Sequence, residues 1–310
     1  MEITPPDLNR FRGCLLGLAT GDAVGTTVEF CCRGTFTPVT DMIGGGPFDL
    51  APGQWTDDTS MALCLVHSLL TRRGFDAIDQ MNRYCNWMNY GYLSSTGNCF
   101  DVGMTVAAAL REYQASGNPW QGSPDPHKAG NGALMRLAPI PMFYFNDVER
   151  VKHYATESTR TTHGAEECIE ASRLFAGMLR GALAGCDKAE ILFKTSPTGL
   201  APFHTEAVKA LAAGDWVDKP IESIRGSGYV IESLEAALWC FYHTDTFEAA
   251  ILRAVNLGDD ADTTAAICGQ LAGAFYGESG IPGHWREKLY MAPEIGELAE
   301  QLAIGQYEHG

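Results

Sequence analysis

The chain has 310 residues, 45% of them hydrophobic and 19% charged; the length holds one large or two modest domains, and the composition excludes a disordered acidic tail or a coiled coil. Its 22 basic and 38 acidic residues leave a formal charge of −16, which repels nucleic-acid phosphates and anionic lipid and argues against either as a partner. No run of about 18 apolar residues spans a bilayer and residues 1–10 carry no apolar signal core, so a cytoplasmic protein without a membrane segment is expected.

Apolar residues recur mainly with helical spacing. Phe11, Cys14, Leu15, Leu18 and Ala19, following Asp7 as a cap, predict an amphipathic first helix. The run 61–70 is apolar almost all round and predicts a helix enclosed by others. Further helical patterns cover about 76–90, 102–115, 147–160, 164–184, 187–195, 230–243, 246–256 and 285–304, with a second enclosed run at 265–275 and a capping box at Asp187 and Glu190. Alternating runs are scarce, so the expected fold is all-α, a single domain over 1–310. The ten cysteines are scattered and form no C-x-x-C pair, which predicts reduced thiols and excludes a zinc ribbon or finger. Glycine clusters at 44–46, at Gly130-Asn131-Gly132 and at Gly226-Ser227-Gly228 mark loops that turn or approach a ligand closely.

Two segments stand apart. Trp55-Thr56-Asp57-Asp58-Thr59-Ser60 and Asp259-Asp260-Ala261-Asp262-Thr263-Thr264 each lead directly into an apolar helix. Asp and Thr cap helices well, but capping uses one or two oxygens, and burying several carboxylates without counter-charge costs several kcal/mol apiece. Neither segment carries a basic residue within ten positions on its helix side. Carboxylates and hydroxyls without His or Cys suit Mg²⁺ or Mn²⁺ better than Zn²⁺, and two facing clusters suit a pair of such ions.

These segments, with 17–25 and Glu29, Asp101-Val102-Gly103-Met104-Thr105, 130–136, Thr161-Thr162-His163 and 226–230, occur in an order that resembles the ADP-ribosylglycohydrolase family over about residues 10–277. Within that family the chain looks most like the bacterial dinitrogenase reductase-activating glycohydrolase branch. The resemblance implies a compact orthogonal helical bundle with a dinuclear Mg²⁺ or Mn²⁺ cleft. It places the metal ligands on Thr56, Asp57, Asp58, Asp260, Asp262 and Thr263, with Asp259 outside the ligand set. The implied activity is hydrolysis of the N-glycosidic bond between ADP-ribose and an arginine of a modified protein, releasing ADP-ribose. The alternatives are serine-linked or O-acetyl-ADP-ribose as substrate, a non-catalytic ADP-ribose-binding member of the fold, and a two-metal phosphohydrolase that would release AMP. Asp58 and Asp260 would couple metal to water, and Glu29 would sense substrate unless it is a solvated loop residue. Asp101 would pair with the leaving guanidinium or else cap a helix from Val102. The Gly130–Ala133 amides, with Val102, Gly103, Met104 and Thr105, would hold the ligand and its diphosphate. His163 would bond phosphate or ribose, and Tyr229 would either serve adenine or the leaving group or pack in the core.

Overall fold

Glycine at every fourth position leaves one face of a helix without side chains, so another backbone can lie directly on it. The first helix, α1 (Leu8–Gly25), carries Gly13, Gly17, Gly21 and Gly25 on such a face. They meet α12 (Ala261–Tyr276), which runs antiparallel to α1 and contributes Gly269 and Gly273. A Cβ at Gly17 would stand 2.2 Å from the Gly269 carbonyl oxygen, and one at Gly273 would stand 1.9 Å from that of Gly13. At the far end, a Cβ at Gly25 would lie 2.4 Å from the Asp262 Cα. The pair therefore closes at backbone contact along its whole length.

The computed structural model describes residues 6–194 and 202–305, and among them the regular elements are helices, with no β-strand. Around α1 and α12 stand α2 (Asp57–Arg72), α3 (Ala77–Tyr90), α4 (Met104–Ser116), α5 (Pro139–Phe143), α6 (Val148–Arg160), α7 (Glu166–Leu183), α8 (Lys188–Phe193), α9 (Glu206–Ala213), α10 (Val230–Tyr242), α11 (Phe247–Val255), α13 (Gly283–Lys288) and α14 (Ala292–Gly305). The main core is built on α1, α2, α7, α10 and α12, and a smaller apolar group with Met61, Met81, Tyr84, Trp87, Leu110 and Met135 joins α2, α3 and α4.

Local signals act as expected at several ends. The Asp7 side chain accepts from the Asn9 N–H at 3.0 Å, and the capping box at Asp187 and Glu190 is formed. The expected amphipathic character of α1 is not observed, because the glycine face that looked polar is covered by α12 and every residue from Gly13 to Gly25 is buried. The expected helix over 285–304 divides into α13 and α14 at Met291, whose φ of 57° breaks the helix two residues before Pro293. The helices α5 and α9 were not expected; α5 is short and holds two prolines, and α9 buries only Val208 and Leu211. The last residue of the expected 187–195 helix lies outside the described residues. All ten cysteines are unpaired, and no described helix is long and apolar enough to cross a membrane.

Because no side chain cushions the α1–α12 contact, Gly17→Ala is expected to lower stability by about 1–3 kcal/mol or more. The denaturant midpoint reads this directly, and an unchanged midpoint would show that the helices part without cost.

Candidate active site

The α1–α12 contact brings three helix ends together. Asp22, in the last turn of α1, is fully buried. One of its carboxylate oxygens accepts from the Thr56 N–H and hydroxyl, both at 2.9 Å. The other accepts from the Thr59 N–H at 3.0 Å and hydroxyl at 2.6 Å. The α2 N-terminus is thus capped from another helix, and neither Thr56 nor Asp260 caps its own. Asp262 Oδ1 does accept from the Thr263 N–H at 2.8 Å, but that single bond leaves the other acids of the two helix starts unexplained by capping.

Asp57 and Asp58 occupy the first turn of α2, Asp262 and Thr263 that of α12. The Thr56 hydroxyl lies 2.9 Å from an Asp22 oxygen, 3.1 Å from Asp58 Oδ2 and 3.3 Å from Asp262 Oδ2. It has one hydrogen for three carboxylates. Asp58 Oδ1 and Glu29 Oε2 are buried with no partner, and no ion pair among the described residues involves any of these acids. Oxygens of Asp22, Asp58 and Asp262 converge within 4.8 Å, as do those of Glu29, Asp101 and Asp262. Asp262 is common to both groups. An all-oxygen set with unused buried acceptors fits hard divalent cations. Asp22, whose oxygens each already accept twice, fits better as the residue that orients Thr56 and Thr59.

Burial combined with mutual repulsion holds the protons on. Burial is the largest cause throughout, and it lifts Asp57, Asp58 and Asp262 well above the carboxylate range, with the neighbouring charges adding to it. Asp22 is raised to about 6 against the pull of its Thr59 and Thr56 hydrogen bonds. Asp101 is raised to about 7 by burial and then by Asp22 and Asp260. Glu29 reaches about 9 through burial and then Asp101.

A cleft of about 430 Å³ opens above these acids. Glu29, Asp57, Asp101, Asp260, Asp262 and Thr263 line it, together with Val102 to Thr105, Gly130 to Gly132, His163 and Gly228. Phe30 and Met104, 67% and 91% exposed, also line it. Thr56 and Asp58 are buried and do not line the cleft. Glu29 is only 4% exposed, which removes the solvated-loop alternative. Its loop is clamped to the approach to α12, where the Phe30 N–H donates to the Asp259 carbonyl and the Asp259 N–H to that of Cys31, both at 2.8 Å. Asp259 itself is exposed.

Three expectations are corrected in detail. Asp101 does not cap α4: the helix begins at Met104 with Gly103 at its cap position, and Asp101 stands outside it at φ 54°. The four-amide cradle narrows, because the Gly130 N–H donates to the Lys128 carbonyl at 2.8 Å and the Asn131 N–H to that of Gly228 at 3.1 Å. Gly132 and Ala133 keep N–H groups without a partner among the described residues, although Ala133 is not itself on the cleft wall. Tyr229 is neither core nor cleft wall; it is 38% exposed, and its hydroxyl donates to Glu167 Oε2 at 2.7 Å. The Asn131 side chain donates to Asp260 Oδ2 at 2.7 Å and so ties the glycine loop to the acids. The residue that the sequence reading missed is Asp22, and its signal was a lone carboxylate inside an otherwise apolar helical run.

Carboxylates crowded beside a glycine-lined cleft are suited to activating water at a polar ligand, and fold and cleft together place the chain among the all-helical hydrolases. The chain belongs to the ADP-ribosylglycohydrolase family, whose model matches residues 4–310, and it is an enzyme of that family. It is 44% identical over 301 residues to ADP-ribosylarginine hydrolase Tri1 of Pseudomonas putida (strain GB-1), a match that covers 97% of this chain and 80% of the relative. It is 32% identical over 306 residues to the ADP-ribosyl-[dinitrogen reductase] glycohydrolase of Rhodospirillum rubrum, covering 94% of each. Among solved structures, an "ADP-ribosylglycohydrolase-related protein complex" aligns with a TM-score of 0.84 at 43% identity, over 96% of this chain and 98% of that one.

Acids raised in the folded state bind protons that the unfolded chain has already released, so metal-free protein loses stability as pH rises. The loss should begin near pH 4, the ordinary carboxylate value, and continue through about 6, 7 and 9 as Asp22, Asp101 and Glu29 ionise. Melting temperature in EDTA across this range checks it, and a midpoint that climbs with pH would contradict the buried-acid account.

Proposed function

We propose that the chain is a divalent-cation-dependent hydrolase that removes ADP-ribose from arginine on a modified protein. The observation that carries the cation is the Thr56 hydroxyl, with its one hydrogen among three buried carboxylate oxygens within 3.3 Å. Thr56, Asp57, Asp58, Asp260, Asp262 and Thr263 would hold two ions, Mg²⁺ or Mn²⁺, whose charge would activate water near neutral pH.

The remaining roles belong to the chain itself. The N–H group of Gly132 and the start of α4, with Gly103, Met104 and Thr105, offer donors to the diphosphate without adding a lysine; Ala133, off the cleft wall, is left out of this role. Val102 supplies an apolar piece of the same wall, and His163 adds a side-chain donor. Glu29 and Asp101 line the cleft together with Asp262; as the scissile bond breaks, nearby carboxylates favour the cationic character that develops at the ribose carbon. Asp101 pairs with the guanidinium of the leaving arginine, a charge-assisted contact that a serine or acetyl group could not make. The arginine-directed names of the Pseudomonas and Serratia relatives, each 44% identical, support this choice. Tyr229, bonded to Glu167 outside the cleft, takes no part in this reading.

Turnover of ADP-ribosyl-arginine, followed by mass spectrometry, should yield intact ADP-ribose and stop in EDTA. Asp58→Asn should abolish it, and Asp101→Asn should lower kcat/KM by about ten- to a hundredfold, as expected for one lost charged hydrogen bond. Release of AMP, or full turnover in EDTA, would overturn the proposal.

A further inference from the structure

Arg136 is a buried cation on which the charge of the cleft acid Asp57 acts, but no carboxylate among the described residues is in contact with it. Its guanidinium is 1% exposed and forms no ion pair among the described residues. It lies 4.7 Å from the Tyr84 ring centroid, Nη1 lies 3.8 Å from Met61 Sδ, and Nε has no partner. A guanidinium placed this way costs stability. Its one strong contact runs from Nη2 to Thr162 Oγ1, at 2.6 Å. Thr162 is fully buried, and its Oγ1 is in turn 2.8 Å from His163 Nδ1.

We propose that Arg136, acting through Thr162, fixes His163 as the tautomer that carries its proton on Nε2, so that a neutral imidazole presents an N–H donor to the cleft. The direction of the chain follows from what each group can do. A guanidinium only donates, so Thr162 Oγ1 accepts and has its single hydrogen left to give. Among the described residues the acceptor at hand is His163 Nδ1. With the proton on Nδ1 instead, Thr162 Oγ1 would take two donors and its own hydrogen would be buried without an acceptor, which is unfavourable. Nδ1 therefore accepts, and the ring proton sits on Nε2.

Nε2 has no partner among the described residues, and His163 lines the cleft. A Cβ at Gly130 or Gly132 would stand 3.4 or 3.3 Å from Nε2, so glycine at both positions keeps the imidazole edge uncovered. Burial and the Arg136 charge push the His163 imidazolium down to about 3, so the ring stays neutral at physiological pH. The acceptor it suits is a phosphate or ribose oxygen of the ligand proposed above, and that identification of the ligand rests on the functional reading. The tautomer does not. Arg136 and Thr162 are positioning residues, and they join two sequence motifs, 130–136 and 161–163, into one device.

The test is ¹⁵N NMR of the full-length chain labelled at its eight histidines, with His163 assigned by its absence in His163→Asn. Long-range ¹H–¹⁵N correlations should show the proton on Nε2 in the wild type, a measurement that needs neither ligand nor a positioning variant. Thr162→Val, which keeps shape and removes the hydroxyl, should move protonation toward Nδ1. It should also weaken ADP-ribose binding by about tenfold or more, measured calorimetrically with Mg²⁺; Thr162→Ser should restore both. A wild-type proton on Nδ1, or a Thr162→Val chain that keeps both tautomer and affinity, would overturn the inference. Wild-type protein with the expected tautomer that binds no ADP-ribose would count against the proposed function instead.

Discussion

The backbone contact between α1 and α12 is the constraint on which the rest depends. Glycines on both helices let them approach until a side chain would collide with a carbonyl oxygen, and this fixes where each helix ends. Gly25 presses on Asp262, so the last turn of α1 lies against the first turn of α12. Asp22, one turn back from Gly25, then reaches across to hold the Thr56 and Thr59 donors of α2. Three helix ends are thereby locked at one point, and the acids they carry converge there. Packing is what forces the electrostatics here, since isolated acidic helix starts would turn outward and ionise.

The charge balance of the chain takes on a second meaning at this point. A net −16 disfavours polyanions at long range, yet the ligand proposed for the cleft is itself an anion. Local sources of positive potential have to meet it: the amide of Gly132, the start of α4, the divalent cations proposed for the site and the buried Arg136 behind His163. None of these places a lysine or arginine side chain on the cleft wall, so the acids of the floor keep their own affinity for cations. In the proposed function the cleft therefore works by short-range contacts.

Legibility in the sequence followed the range of the interactions. The all-helical fold, the Asp7 and Asp187 caps and the acidic starts of α2 and α12 were readable because each is set by neighbours within a turn or two. The break at Met291 was not, because a left-handed residue inside an apolar pattern leaves no periodic trace. The enclosure of α1 was missed because a glycine face looks polar until a second glycine face is known to cover it. Asp22 lies inside the 17–25 motif, and its role follows from α2 resting on it. Asp101 and Glu29 were chosen by family resemblance. Their burial and proximity to Asp262 come from loops that meet only in the folded chain, as does the Arg136–Thr162–His163 line.

The most direct test of this account is anomalous scattering from crystals of the protein equilibrated with Mn²⁺. The expected result is manganese density bound by carboxylate oxygens of Asp58 and Asp262, which with Asp22 crowd the single Thr56 hydrogen. A map with saturating Mn²⁺ and no anomalous peak at those carboxylates would contradict it.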